Sequence, residues 1–230
     1  MNKPVDVVCI GAHPDDVEIG MGGAVAGMAR EGLSVAIVDL TNGEPTPHGT
    51  PEARAAEAAR ASEILGVTER RTLSQPNRFL TDTVDARLEL ASALRELRPS
   101  VLFVPYPLDA HPDHTAAHQI AMAGRFYAKL TKTDMPGEPH YPRRVYQYMA
   151  VHMRIATPPA FVLDVSDTLG LKLEALAAYR SQFGDNDANS GIIPMMELAA
   201  RNWGTLIGVQ AGEPFFTPEP VGVSSFIDLV

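Results

Sequence analysis

Short apolar runs alternate with helix-like segments through residues 1–130, and this alternation limits the possible folds more than any other feature of the chain. The runs at 5–11, 34–40 and 101–106 are rich in valine, isoleucine and leucine, which is typical of strands buried on both faces. A weaker run near residues 71–74 is a further candidate strand. Strands that alternate with helices form a parallel sheet wrapped by helices. We therefore predict an α/β fold with a Rossmann-like, mostly parallel sheet.

The remaining segments complete this prediction. The helices between the strands are predicted at 20–31, 50–65 and 85–97 and from residue 115 onwards. In the later part of the chain we predict strands at 144–151 and 161–165, helices at 169–179 and 192–203, and a polar loop at 184–191. Thr50 and Pro51 form a typical helix start, and Gly66 a typical end. We expect a single domain, with residues 1–130 as the Rossmann-like core and 131–230 as a smaller C-terminal α+β cap that completes the site.

Composition narrows the class of protein. A chain of 230 residues suits one large α/β domain. The formal net charge of −9 argues against binding to nucleic acid or to an anionic membrane surface. The single cysteine, Cys9, lies in an apolar run and is expected to be a buried small residue, so a reducing cytoplasm is the simpler location. We expect no signal peptide and no membrane span.

Histidine and aspartate residues follow two of the predicted strands. His13, Asp15 and Asp16 come directly after the first strand, and a second cluster of Asp109, His111, Asp113 and His114 follows the strand at 101–106. In open α/β sheets, ligands bind beyond the carboxyl ends of the strands, so we expect the two clusters to meet at one edge. Taken alone, either cluster could be a turn that caps the next helix. Two clusters at one edge favour a site with a chemical role.

Imidazole and carboxylate groups are good zinc ligands, and nearby prolines stiffen the loops that would hold them. A catalytic zinc site uses three protein ligands and leaves the fourth position to water. Because the two clusters offer more than three candidates, we expect some of them to act as acids or bases.

These residues carry a family resemblance. The segment AHPDDVEIGMGG at 12–23 resembles the signature of the PIG-L/LmbE-like zinc deacetylase superfamily, and HPDH at 111–114 resembles its second motif. Segments at 49–57 and 102–106, EALAAYRSQF, and Gly-Glu-Pro-Phe-Phe near the end are similar to the bacillithiol-biosynthesis branch. The resemblance implies one Zn²⁺ per chain, with Fe²⁺ as an alternative in the cell, and an N-acetylated amino sugar as the substrate. It also allows for a homo-oligomer.

The resemblance also implies a role for each matching position. It makes His13, Asp16 and His114 the metal ligands and Asp15 the general base. It makes His111 the residue that protonates the leaving group or steadies the oxyanion. Asp113 would orient His111, and Arg54 would reach the substrate. Ala110 departs from the branch, where an arginine often precedes HPDH, so we expect weaker discrimination for an anionic aglycone.

Other residues carry weaker signals. His118 follows His114 at a spacing that can bind zinc, but a structural helix-face histidine is the better interpretation. His48, His140 and His152 are interpreted as isolated surface or core residues, although His48 could touch a ligand. Gly20, Gly22 and Gly23 are expected to allow close packing of the first helix, and Glu18 to be solvated.

We therefore predict a zinc-dependent hydrolase that removes acetyl from an N-acetylglucosaminide, most specifically N-acetylglucosaminyl-malate. One alternative is a thiol-conjugate amidase, and another is a general deacetylase of N-acetylglucosamine or its oligosaccharides. A nucleotide- or sugar-binding module without catalysis is the alternative from another class.

Overall fold

The computed structural model describes residues 4–149, 152, 157–184 and 187–222. The strands are β1 (Val7–Gly11), β2 (Val35–Thr41), β3 (Glu69–Gln75), β4 (Val101–Pro105), β5 (Arg144–Tyr148), β6 (Phe161–Asp164) and β7 (Gly212–Phe216). The helices are α1 (Asp16–Arg30), α2 (Pro51–Leu65), α3 (Val84–Leu97), α4 (Pro112–Ala128), α5 (Leu169–Ala178) and α6 (Ile192–Ile207). A π-helical turn at Arg180–Gly184 and a 3₁₀ turn at Asp187–Asn189 lie between α5 and α6.

The strands form one seven-stranded sheet in the order β3-β2-β1-β4-β5-β7-β6. The first five are parallel neighbours, whereas β7 runs antiparallel to both β5 and β6. The predicted α/β class with a mostly parallel sheet is confirmed. The strands of the C-terminal part extend the same sheet.

Two apolar cores cover the two faces of the sheet. Val8 and Ile10 of β1 pack in one core with residues of α3 and α4, and Val7 and Cys9 pack in the other with residues of α1, α2 and α5. Both β1 and β2 are buried along their full length, which explains why their sequences are mostly apolar rather than alternating. Cys9 is fully buried, and burial raises the pKa of its thiol.

Helix α1 starts at Asp16, four residues before the predicted segment, and it contains an interruption. Met21 has non-helical backbone angles (φ −152°, ψ 25°). The amides of Gly23 and Ala24 donate to the Glu213 carboxylate at 3.1 and 2.7 Å instead of continuing the helical ladder. A glycine-rich helix tolerates this break because a buried carboxylate satisfies the freed amides.

The glycines of α1 allow other elements to approach closely. A Cβ at Gly20 would overlap the Tyr148 ring, and a Cβ at Gly23 would lie 2.9 Å from Val165 Cβ. The expectation of close packing is confirmed at these positions.

Strand β7 was not predicted. Its sequence, GEPFF, is five residues long and includes a proline, so it lacks the pattern of a central strand. All five residues are nevertheless buried, because β7 lies between β5 and β6. Along the described part of the chain, no helix has the length and apolar character needed to cross a membrane.

Candidate metal centre and active site

The carboxyl ends of β1 and β4 lie side by side because these two strands pair in parallel. The loop after β1 carries His13 and leads into α1 at Asp16, and the loop after β4 leads into α4, which carries His114. One ligand atom from each of these three side chains lies within 4.8 Å of the others. The fold therefore brings both sequence clusters to one point.

One nitrogen of each histidine faces Asp16. His13 Nδ1 lies 3.5 Å from Asp16 Oδ2, and His114 Nε2 lies 3.1 Å from Asp16 Oδ1. The carboxylate also accepts a hydrogen bond from the backbone amide of His13 at 2.8 Å. Two imidazoles and one carboxylate form the donor set of a catalytic zinc site that keeps one position open.

The other nitrogen of each histidine is held by a second carboxylate. His13 Nε2 lies 3.1 Å from Asp113 Oδ2, and His114 Nδ1 lies 2.6 Å from Asp109 Oδ2. Carboxylates in this position fix the tautomer and the ring orientation of metal-binding histidines. This pattern fits a metal centre better than it fits a simple pair of helix caps.

The position of Asp113 differs from the role that the family resemblance implies. Its carboxylate contacts His13, whereas only its backbone amide contacts His111, by donating to Nδ1 at 3.1 Å. The Asp113 carboxylate also accepts hydrogen bonds from the backbone amides of Arg78 and Leu80. The geometry therefore makes Asp113 a support for His13 rather than for His111. The sequence assigned no role to Asp109, whose contact with His114 depends on how the loop after β4 folds back.

His13, His111 and Asp113 form a second group that could surround a cation. In that group, the Asp113 carboxylate already accepts hydrogen bonds from two backbone amides, and Nδ1 of His111 accepts a hydrogen bond from a third amide. The first group, His13, Asp16 and His114, is therefore the better candidate, since its facing atoms have fewer competing partners.

Asp16 and the two histidines stabilise one another's charged forms. Burial by itself would lower the pKa of both histidines, but Asp16 and the other carboxylates outweigh it and raise the pKa of His13 to about 9 and of His114 to about 10. Burial works in the opposite direction on Asp16, yet the two histidines hold its pKa well below the ordinary value. A divalent cation would take the place of the protons that these rings otherwise hold.

Asp15 lines the same cleft but contacts a different partner. Its φ of 122° is rare for a residue other than glycine, and strain of this kind concentrates at functional sites. Its Oδ2 accepts a hydrogen bond from Arg54 Nη1 at 3.0 Å. Burial raises the pKa of Asp15 to about 7, while Arg54 acts in the opposite direction.

Arg54 lines the cleft, and part of its guanidinium group contacts neighbouring residues. Nη1 donates to Pro14 O at 2.7 Å as well as to Asp15, and Nε lies 3.5 Å from Glu44 Oε1. The residue is 3% exposed. Arg54 is therefore a hydrogen-bond partner of Asp15, and its contact with a substrate stays a prediction.

His111 caps the N-terminus of α4. Because Nδ1 accepts the Asp113 amide, the proton of the neutral ring lies on Nε2. Burial lowers the pKa of His111, and the neighbouring His114 and His13 lower it further. The ring centroid of His111 lies 5.0 Å from that of His13 and 4.7 Å from that of His114.

Beneath the site, Arg70 of β3 joins two buried carboxylates. It binds Asp39 of β2 through Nε and Nη2 at 2.7 and 3.0 Å, and it binds Glu18 of α1 through Nη1 at 2.6 Å. Glu18 also accepts a hydrogen bond from Tyr179 at 2.8 Å and is fully buried, so the expectation of a solvated Glu18 was wrong. This network ties the first turn of α1 to the sheet.

The centre lies in a cleft of about 240 Å³. Several residues without a predicted role line this cleft beside the predicted ones, namely Ile19, Gly43, Thr46, Asn77, Arg78, His152, Gln182, Phe183, Asn189 and Ile192. Gln182 and Phe183 reach the cleft from the π-helical turn after α5, a type of turn that often occurs at functional sites. The EALAAYRSQF segment and the polar loop at 184–191 were the sequence signals that pointed to this region.

The remaining histidines divide into structural and cleft residues. His118 Nδ1 lies 2.8 Å from Pro105 O and His140 Nε2 lies 2.6 Å from Pro99 O, so both contact backbone carbonyls. His48 is exposed. His152 lies close to the centre, with its ring centroid 5.4 Å from that of His111 and 5.3 Å from that of His114, and its interpretation as an isolated residue was wrong.

Comparison with known proteins agrees with this geometry. The sequence profile of the PIG-L family, described as GlcNAc-PI de-N-acetylase, matches residues 8–124. Diacetylchitobiose deacetylase of Thermococcus kodakarensis is 30% identical over 205 residues, covering 81% of this chain and 74% of its own. A 1D-myo-inositol 2-acetamido-2-deoxy-alpha-D-glucopyranoside deacetylase of Catenulispora acidiphila is 30% identical over 246 residues, covering 79% of this chain and 81% of its own.

A solved structure supports the same relationship. A conserved protein from Thermus thermophilus is 40% identical, with a TM-score of 0.88 over 96% of this chain and 98% of that chain. The predicted resemblance to the PIG-L/LmbE-like superfamily is confirmed, and the chain belongs to the PIG-L family of metal-dependent de-N-acetylases.

Proposed function

We propose that this protein is a zinc-dependent hydrolase that removes the acetyl group from an N-acetylglucosaminide. The observation that carries the proposal is the convergence of His13, Asp16 and His114 in a cleft that Asp15 and His111 also line. A binding module without catalysis would not need a metal donor set together with a separate carboxylate and a separate imidazole.

His13, Asp16 and His114 are the residues that would hold the ion. Zn²⁺ suits this donor set, and Fe²⁺ is the alternative that the same ligands accept. Bound there, the ion would polarise the acetamide carbonyl and lower the pKa of a water molecule to about 7. Asp109 and Asp113 would fix the orientation of the two histidines from outside.

Asp15 and His111 have different tasks in the hydrolysis. Asp15 accepts a proton from water as the oxygen attacks the acetamide carbon, and Arg54 holds the carboxylate in place through its hydrogen bond. His111 carries its proton on Nε2, where it can stabilise the developing negative charge on the carbonyl oxygen. The carbon–nitrogen bond then breaks as the proton that Asp15 accepted passes to the leaving nitrogen, and the products are acetate and a free amino sugar.

The relatives favour an acetylated glucosamine as the common part of the substrate. Both curated relatives are named for deacetylation of substrates that contain this sugar, but the group attached to it differs between them. We propose N-acetylglucosaminyl-malate as the specific substrate, on the resemblance of several segments to the bacillithiol branch. The lone buried Cys9 supports a cytoplasmic location.

We also propose one domain, in which the part after residue 130 completes the site. Gln182, Phe183, Asn189 and Ile192 support this proposal because they line the cleft beside residues from the loops after β1 and β4.

A panel of substrates tests the proposal. Zinc-loaded protein would be given N-acetylglucosamine, diacetylchitobiose, the inositol glycoside and the malate glycoside, and the release of acetate and amine would be measured. We expect activity on acetylated glucosaminides, with the highest kcat/KM on the malate glycoside. Absence of acetate release from every member would contradict the proposed function, and a preference for another member would replace the malate assignment.

A further inference from the structure

Arg78 lines the cleft from the loop after β3 and is exposed. Among the residues that the structure describes, its guanidinium group makes no ion pair, in contrast to that of Arg54. An exposed arginine is often only solvated, but the loop that carries Arg78 is fixed to the candidate centre.

The backbone of Arg78 is held in an uncommon conformation. Its φ of 68° lies in the left-handed region, which is uncommon for a residue other than glycine or asparagine. The amide of Arg78 donates to Asp113 Oδ2 at 2.7 Å, and the same oxygen lies 3.1 Å from His13 Nε2. One carboxylate therefore fixes both a candidate metal ligand and the loop that carries Arg78. Conformations of this kind persist where the surroundings over-determine them, commonly at functional sites.

The negative charge of the whole molecule makes a local cation important for binding an anionic substrate. A protein of net charge −9 repels anions in general, so an anionic substrate needs a local positive group. Arg54 is less available for this task, because its Nη1 donates to Asp15 and Pro14 and its Nε lies 3.5 Å from Glu44 Oε1. Ala110 has no donor in its side chain. The guanidinium of Arg78 carries several N–H donors in a planar fork that matches a carboxylate or a phosphate.

We propose that Arg78 binds an anionic group, a carboxylate or a phosphate, on the aglycone of the substrate. This inference rests on the proposed function and deepens it, since it assigns the enzyme to acidic glycosides of N-acetylglucosamine and names the residue that selects them.

The test compares three glycosides that differ in charge. The carboxymethyl glycoside of N-acetylglucosamine carries a carboxylate, N-acetylglucosamine 1-phosphate carries a phosphate, and the ethyl glycoside is neutral. Zinc-loaded wild-type protein and the variants Arg78→Gln, Arg78→Lys and Arg98→Gln would be compared with each glycoside. Arg98 is the matched control, since it is also exposed and left-handed (φ 52°) but lies outside the cleft.

We expect Arg78→Gln to lower kcat/KM on at least one anionic glycoside by about tenfold to a hundredfold, the effect of losing a charge-assisted hydrogen bond. Activity on the ethyl glycoside should stay within about threefold, because the acetamide end is unchanged. Arg78→Lys should retain part of the preference, and Arg98→Gln should retain all of it. The anionic glycoside on which Arg78→Gln loses more activity identifies the bound group as a carboxylate or a phosphate.

Equal losses on charged and neutral glycosides, or no loss on either anion, would contradict the inference. Equilibrium binding of the same glycosides, measured by calorimetry, separates this failure from a failure of the proposed function. A wild-type protein that hydrolyses nothing but binds the anionic glycosides more tightly through Arg78 would contradict only the proposed function. Binding that is indifferent to Arg78 would contradict the inference.

Discussion

Asp15 and Asp16 are adjacent in sequence but face different partners. Asp16 lies between His13 and His114, whereas Asp15, whose φ is 122°, accepts a hydrogen bond from Arg54. The two carboxylates therefore have different surroundings. This difference supports the proposal that Asp16 is a ligand and Asp15 a base.

Replacing Asp15 with asparagine tests that division. We expect the variant to keep its metal and to lose roughly 10²–10⁴-fold in kcat, because the group that accepts the proton of water is gone. Metal content and kcat would be measured on the same preparation. Asp16→Asn is the comparison and should lose the metal; the assignment fails if Asp16→Asn keeps its zinc while Asp15→Asn remains fully active.

Arg54 gives a second test, which separates positioning from substrate recognition. We expect Arg54→Gln to lower kcat by about tenfold or more, because the charge-assisted hydrogen bond to Asp15 is lost. KM for a neutral glycoside should change by less than about threefold. A large rise in KM with unchanged kcat would instead return Arg54 to direct contact with the substrate.

Asp109 gives a third test at this scale. Its carboxylate holds His114 Nδ1 at 2.6 Å, so we expect Asp109→Asn to weaken zinc binding by about 10–100-fold. Competition with a chelator of known affinity measures the change. Asp134→Asn, at an exposed position, serves as the control. Equal zinc affinity in the wild type and in Asp109→Asn would remove Asp109 from the centre.

At the scale of elements, α1 depends on contacts with two distant parts of the chain. Its break at Met21 is stabilised by Glu213 of β7, and Glu213 is in turn paired with Lys172 of α5 at 2.6 Å. Both members of this pair are buried. The helix that carries Asp16 is therefore held by the C-terminal strand and by α5 as well as by the neighbouring sheet.

Breaking the pair should destabilise the protein strongly. Lys172→Met leaves the Glu213 carboxylate buried without its cation, and we expect the free energy of unfolding to fall by about 3–5 kcal/mol. Urea denaturation measures the change. Arg201→Met, which removes the exposed Arg201–Glu197 pair, should cost less than about 1 kcal/mol. In the double variant Lys172→Met with Glu213→Gln, part of the loss should be recovered; fully additive losses would show that the pair is not coupled.

The elements differ in how far sequence alone predicts them. Strands β1, β2 and β4 follow from their apolar runs, because burial on both faces leaves a direct mark on composition. Strand β7 leaves no such mark, since its five residues include a proline and become central only through the order in which strands assemble. Helix α4 begins at Pro112, earlier than predicted, because His111 acts as its cap.

Sequence alone likewise predicts some contacts of the site and not others. His13, Asp16 and His114 could be placed together from the rule that strand ends share one edge of the sheet. The contacts of Asp113 with His13 and of Arg54 with Asp15 could not, since they depend on side-chain directions between loops far apart in sequence. The same reason explains why Arg78 and His152 were missed as cleft residues.

At the scale of the whole molecule, the cleft is built by segments from both halves of the chain. The loops after β1 and β4 supply the metal donor set, the loop after β3 supplies Arg78, and the turns between α5 and α6 supply Gln182 and Asn189. One continuous sheet joins these segments. The candidate metal ligands therefore follow strands of the parallel part of the sheet, and much of the rest of the cleft wall belongs to the C-terminal part.

Zinc titration of metal-free enzyme tests the central claim most directly. Protein stripped with a chelator would be titrated with Zn²⁺, and bound zinc and acetate release from the malate glycoside, or from the most active glycoside of the panel, would be followed together. We expect negligible activity at the start and a linear rise that levels off at about one zinc per chain, with no rise in His114→Ala. Full acetate release by the metal-free protein, or an unchanged titration in His114→Ala, would contradict a metal-dependent deacetylase centred on His13, Asp16 and His114.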